Sequence, residues 1–132
     1  MKQMLLVVFL TSTMFATASW AGQREAEMLR NAAQNTVSVA QAKQLADETA
    51  VALSGVIVKR IRGDHFKFKD GSGSIEIDVD DEVWKPIHLK AGDQVNIMGE
   101  VDTQSDKSTI IDVEKLEKIS GSKEQWQWYN QH

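Results

Sequence analysis

Between Val51 and Val113 the chain alternates apolar and polar residues in short runs, and Gly or Asp closes nearly every run. The runs read V-x-L-x-G-x-I-V, F-K-F-K-D-G-S-G-S-I-E-I-D-V-D-D-E-V-W, V-N-I-M-G-E-V-D and I-I-D-V. A period of two over four to eight residues puts one face of each strand in a core. Strands are predicted at Val51–Ile61, His65–Lys69, Ser74–Val79, Val95–Val101 and Thr109–Ile119. Gly55 interrupts the first, where a coiled barrel strand needs a bend or a close backbone approach. Phe66 and Phe68 must share a side with Ile75, Ile77 and Val79, which sets Phe68 opposite Ile75 and Phe66 opposite Ile77. The outward pairs are then Lys67 with Glu76 and His65 with Asp78, both of favourable sign. In the last strand Leu116 falls out of step with Ile111 and Val113, and a bulge near Glu114-Lys115 would return it to the core.

The remaining segments serve this sheet. Ser38 followed by Gln41 forms a capping-box signature, and Val37 can staple against Ala42, so a helix is predicted from Ser38 to near Asp47, closing one end of the barrel. Asp81-Glu82-Val83-Trp84 reads as one helical turn before the only proline, Pro86. Five short strands in this order predict a mainly β, five-stranded antiparallel OB-fold Greek-key barrel with an N-terminal helix. Residues 37–119 form the OB-fold domain. Residues 22–36 form a helical or mobile leader whose apolar stripe (Ala26, Leu29, Ala33) is thin. Residues 120–132 form a polar tail carrying Trp126, Trp128 and Tyr129.

The wording of the strands is more specific than their period. Phe66-x-Phe68-x-Asp70, Ile77-Asp78-Val79-Asp80 leading to Trp84, Gly99-Glu100-Val101-Asp102 and Ile111-Asp112-Val113 together resemble the bacterial OB-fold (BOF) family. These are small periplasmic proteins of the YgiW/YdeI stress-tolerance type. The resemblance runs over residues 36–119. It implies a role in tolerance of envelope stress and no agreed chemistry.

Residues 1–21 read as a secretory signal peptide: Lys2, an apolar run around Leu5–Leu10, and small residues at Ser19 and Ala21. Cleavage is expected after Ala21, which makes the periplasm the expected compartment. The apolar run is short for a ~30 Å hydrocarbon core, so no membrane span is expected after cleavage. The chain contains no Cys, which excludes a lipid-anchored cysteine and a disulfide framework. Losing residues 1–21 removes Lys2, the one charged residue there, and takes the formal net charge from −4 to −5. That sign opposes nucleic-acid binding, which draws its affinity from neutralised phosphates. The outward hairpin residues also lack the aromatic platforms on which single strands stack.

Candidate ligand-binding residues are His65, Lys67, Glu76, Asp78, Asp80 and Trp84. Lys67 and His65 would donate hydrogen bonds, the carboxylates would accept them, and Trp84 would stack if exposed. The competing reading of Trp84 is a core plug between strands, and it is favoured because a buried Trp supplies much apolar area. The acidic run is read as a solvated strand face, since EF-hand spacing is absent and no metal site is assigned. Arg62-Gly63-Asp64 is read as a tight glycine turn. His65, His88 and His132 show no ligand spacing, and with no Cys nucleophile or phosphate loop neither an enzyme nor a cofactor is expected. The expected activity is non-enzymatic binding of a polar small molecule or glycan fragment on the strand 2–3 face. The alternatives are an adaptor for an envelope protein, through the Trp-rich tail or an unpaired barrel edge, and a cation buffer in which Asp78, Asp80 and Asp81 converge.

Overall fold

The computed structural model describes residues 20–119. Its element order is α1 (Trp20–Ala33), α2 (Val39–Ala42), β1 (Ala50–Arg62), β2 (His65–Asp70), β3 (Gly73–Val79), α3 (Asp81–Trp84), β4 (Gln94–Thr103) and β5 (Thr109–Lys118). The strands close into a barrel of order β1-β2-β3-β5-β4. The predicted hairpin register holds residue by residue: His65 faces Asp78, Phe66 faces Ile77, Lys67 faces Glu76 and Phe68 faces Ile75. The bulge is present, because β5 slips against β4 between Met98 and Gly99 and leaves Glu114 over, which sets Leu116 opposite Ile97. Four seams are antiparallel. The fifth, between β3 and β5, is parallel, with Asp78 beside Asp112 and Val79 beside Val113. A Greek-key path forces this, since strand five must enter between two strands already placed.

Inside the barrel, Leu53, Ile57, Phe66, Phe68, Ile77, Ile97 and Ile111 are at most 1% exposed, and none of the described buried residues is polar or charged. Phe66, Phe68, Ile75, Ile77, Val95, Ile97, Ile111 and Val113, the core expected from the alternation, are all buried. Two glycines let strands come closer than a side chain allows. A Cβ on Gly55 would lie 2.7 Å from Phe68 Cζ and would collide with the Lys69 carbonyl oxygen; one on Gly99 would collide with the Asp112 carbonyl oxygen.

Each end of the barrel is covered. At the β2–β3 turn, α2 docks by its N-terminus: Val39 N–H donates to Asp70 Oδ2 and Ala40 N–H to Ser72 Oγ, both at 2.9 Å. The capping box between Ser38 and Gln41 is formed. The helix is shorter than expected, however. After Ala42 the chain tightens, with Gln44 N–H bonding the Gln41 carbonyl and Leu45 N–H the Ala42 carbonyl. Asp47 leaves the helix to accept the Thr103 N–H at 2.9 Å. At the other end α3 and the turn after it bring Val83, Trp84 and Ile87 against the core. The leader forms a real helix: α1 lies against β1 and β4 with Ala32 fully buried. The expected cleavage site adjoins its first residues, and the Trp126-Trp128-Tyr129 tail lies outside the described residues. Among the described residues no helix is long and apolar enough to cross a membrane.

Candidate functional site

Strand alternation and barrel closure together set the outward wall. Because Phe66, Phe68, Ile75, Ile77 and Val79 point inward, Lys67, Lys69, Glu76 and Asp78 point out. Following the pairing around the barrel from β1, one outward row reads Arg62, His65, Asp78, Asp112 and Glu100. A second reads Lys59, Lys67 and Glu76. The wall is therefore positive along β1–β2 and negative along β3–β5–β4.

His65 and Glu76 come together diagonally, with His65 Nδ1 2.5 Å from Glu76 Oε2. Arg62 Nη2 lies 3.6 Å from the same oxygen. Asp78 Oδ2 stands 3.9 Å from His65 Nε2. The expected Lys67–Glu76 ion pair is absent among the described residues although the backbone register is right. The shorter His65 ring and the Arg62 side chain from β1 already occupy Glu76. Lys67 stays exposed.

Asp80 precedes α3, where its carbonyl accepts Val83 N–H at 2.8 Å and Trp84 N–H at 3.1 Å. Its carboxylate groups with those of Asp64 and Asp78, their oxygens within 4.8 Å of one another. The convergence expected of Asp78, Asp80 and Asp81 is thus corrected in its third member. Asp81 turns away to Lys85 Nζ at 3.4 Å, and the β1–β2 turn supplies Asp64 instead. Three exposed or half-buried carboxylates fall short of the six to eight oxygens calcium takes.

Trp84 works as a plug. Its ring meets Phe66 edge-on, centroids 5.3 Å apart at 75°, and its Nε1–H donates to Asp64 Oδ1 at 2.9 Å. The Arg60 guanidinium lies 4.7 Å from the ring centroid and Lys85 Nζ 5.7 Å. With its edge and face taken, Trp84 offers no open stacking platform for a sugar or a base.

The negative wall carries the electrostatic signal. Asp78 holds its proton more tightly than usual, through partial burial and then through Asp80, Asp64 and Asp102, while His65 opposes the shift. Asp112 shifts the same way, because the strands beneath it strip solvent and Asp78, Asp102, Asp80 and Glu100 surround it with like charge. Glu114 follows, from desolvation and then Glu25, Asp112, Asp80 and Glu100. Among the described residues none of Asp112, Glu100, Asp102 or Glu114 makes an ion pair. Glu100 and Glu114 also line a cleft of about 690 Å³ beneath α1, together with Arg24, Glu25, Glu27 and Met28. The sequence reading missed Asp64, Asp112 and Glu100 as members of one surface. The outward position of Asp112 between Ile111 and Val113 was a usable signal, but its neighbour across the parallel seam was not.

A closed five-stranded barrel with this strand order, both ends covered and a charged outer wall, defines a small OB-fold protein. The sequence pattern of the bacterial OB fold (BOF) proteins matches residues 16–118, and the chain belongs to that family. It is similar to the calcium-regulated OB-fold protein CarO of Pseudomonas aeruginosa, 35% identical over 88% of this chain and 93% of that one. It is also 41% identical to protein YgiW of Escherichia coli over 65% of each chain. The solved structure of the hypothetical protein YgiW from E. coli superposes with a TM-score of 0.60, covering 64% of this chain and 90% of that one. The telomere capping protein Ten1 of Saccharomyces pombe, at 21% identity and a TM-score of 0.53, shares the fold alone.

Proposed function

We propose that this chain is a non-enzymatic periplasmic protein of envelope stress tolerance whose carboxylate wall binds a cationic polar ligand. The observation that carries the reading is the in-register row Asp78–Asp112–Glu100. Asp78 and Glu100 raise the Asp112 carboxyl, and neither Asp112 nor Glu100 has an ion-pair partner among the described residues. A multivalent cation laid along them gains attraction from several carboxylates and relieves their repulsion at the same time. The occupied ring of Trp84 supports a cation over a neutral glycan, which would want that face free. The adaptor reading is weakened on one of its two routes, because the closed barrel leaves only short strand ends beyond the β3–β5 seam to augment.

The test is a thermal-shift series on the purified protein with spermidine, Ca²⁺ and muropeptides, alongside Asp112→Asn. A ligand that binds only the native state raises its apparent stability. Spermidine, long enough to span the row, should raise the Tm of the wild-type chain more than Ca²⁺ does, and Asp112→Asn should blunt the rise. A shift with muropeptides alone would move the reading to glycans, and no shift with any of them would sink the ligand reading. Export is checked on the same preparation by intact mass, which should place the N-terminus at Gly22, or at Ser19 if the second small-residue site is used. A chain retaining residues 1–21 in the cytoplasm would refute the periplasmic assignment.

A further inference from the structure

Among the described residues, the lysines of the positive half lack ion pairs just as Asp112 and Glu100 of the negative half do. Lys59 and Lys67 stand directly across from each other on β1 and β2, and Lys69 follows two residues along on the same face. Like charges placed opposite one another destabilise a strand pair. None of these lysines makes an ion pair among the described residues. Neighbouring strands are ~4.8 Å apart, so this basic ladder lies within about three strands of Asp78 and Asp112 on β3 and β5. Along the two rows traced above, the sign changes once, between β2 and β3.

A surface of that kind is complementary to itself. Rotation about a two-fold axis that lies in the interface and runs roughly along β3 reverses the strand order, so the β1–β2 lysines of one copy come to face the β3–β5 carboxylates of the other. That is the geometry of an isologous interface, in which one patch serves both partners. We propose that the chain pairs with a second copy of itself through the β2–β3–β5 wall, Lys67 of each copy meeting Asp112 of the other.

Two features select this occupant. An extended polyanion lying across the lysines would run onto Asp78 and Asp112 one or two strands further on, whereas a second copy matches both halves. The covered barrel ends and closed strand order leave side chains, with only short strand ends beyond the β3–β5 seam, to read a partner. The two molecules carry net negative charge, but at physiological salt the Debye length is about 8 Å. Apposed charges therefore decide the contact and the distant ones do not. A wall made of charges gives a weak, salt-sensitive pair and not an obligate dimer.

Sedimentation velocity on the protein as purified, over a concentration series, reads the association directly. At about 0.1 M salt the chain should show a concentration-dependent monomer–dimer equilibrium, weakened at least tenfold at about 1 M, where the Debye length falls to about 3 Å. Lys67→Glu and Asp112→Lys should each weaken dimerisation at least tenfold. The double variant Lys67→Glu/Asp112→Lys should recover it, because the same contact then forms with its signs exchanged. Both side chains are exposed, so circular dichroism should show all three variants folded. A monomer at every concentration, or a double variant no better than the singles, would overturn the proposal. So would a wild-type monomer that instead binds a labelled oligonucleotide or anionic vesicles through Lys67. The proposal does not rest on the ligand reading above, since Lys67→Glu leaves the carboxylate row intact and its response to spermidine is scored separately.

Discussion

Substituting Gly55 by alanine tests the closeness of β1 and β2 with one carbon atom. The added Cβ would meet Phe68 Cζ at 2.7 Å and Cε2 at 3.0 Å and would collide with the Lys69 carbonyl oxygen. The phenyl ring is sealed in the core at 0% exposure, and the carbonyl belongs to the β1–β2 ladder, so neither can swing aside. Overpacking of this kind costs ~1–3 kcal/mol, and a clash with backbone belongs in the upper half of that range. Alanine also restricts the unfolded chain, which returns ~0.4–1 kcal/mol. The net loss should be about 1–2.5 kcal/mol. For a domain of about 100 residues that is a Tm fall of roughly 5–15 °C. Gly71→Ala is the matched control. It is the same chemical change in the β2–β3 turn, where a Cβ meets nothing within 4 Å and φ is not left-handed. It should be neutral or stabilise by up to ~1 kcal/mol. Urea unfolding followed by circular dichroism measures both. Equal midpoints for the two variants would refute the close approach and the pairing it depends on.

Two further outcomes follow from the same barrel. Phe66→Ala should cost about 3–5 kcal/mol by emptying the core beside Trp84, while Lys67→Ala one residue away should cost under ~1 kcal/mol; equal losses by urea titration would mean the strand faces are reversed. Stability should also peak at mildly acidic pH. Asp78, Asp112 and Glu114 hold their protons more tightly when folded, so their penalty disappears as pH falls through these raised values to the ordinary carboxylate range. Asp70 and Asp93 behave oppositely. Partial burial pushes each up, but hydrogen bonds outweigh it: Ser72 and the Val39 N–H at Asp70, and Lys90 with the Lys118 charge at Asp93. Their net-lowered values give stability above the usual 3.8 that is lost as pH falls below it. Urea midpoints should therefore rise as pH falls through the raised carboxyls and fall again once pH drops below the usual 3.8. A midpoint that only rises from acid to neutral would show that the acidic wall carries no strain.

What could be read from the residues was whatever depends on local period. The Phe66–Ile77 and Phe68–Ile75 pairing follows because a slip of one residue would turn two phenylalanines to solvent. The bulge at Glu114 follows from a single out-of-step leucine, and the capping box at Ser38 from two side chains three residues apart. The wall was not legible, because it depends on which strands become neighbours. Asp112 acquires Asp78 as a neighbour only through the parallel β3–β5 seam, and their sequence separation hides that contact. Asp64 joins Asp78 and Asp80 because a tight turn folds back over β3. The docking of α1 escaped notice for another reason: a helix can anchor on one small residue, and Ala32 leaves almost no trace in an apolar stripe.

The parallel seam also orders the making of the molecule. Strand β5 is the last to be synthesised, yet it sits between β3 and β4. A chain that has reached only Thr103 can form the β1–β2–β3 meander and pair β4 with β1. Two strand edges then stay open, facing each other across the gap that Thr109–Lys118 will fill. Open edges are templates for pairing with other chains, so each molecule is adhesive from the moment β3 forms until the final ten-residue strand slots in. Nicking within the turn at residues 104–108 leaves that strand present to be held in place. Losing the strand reopens the whole barrel, and no shorter N-terminal fragment of this fold has both its edges satisfied.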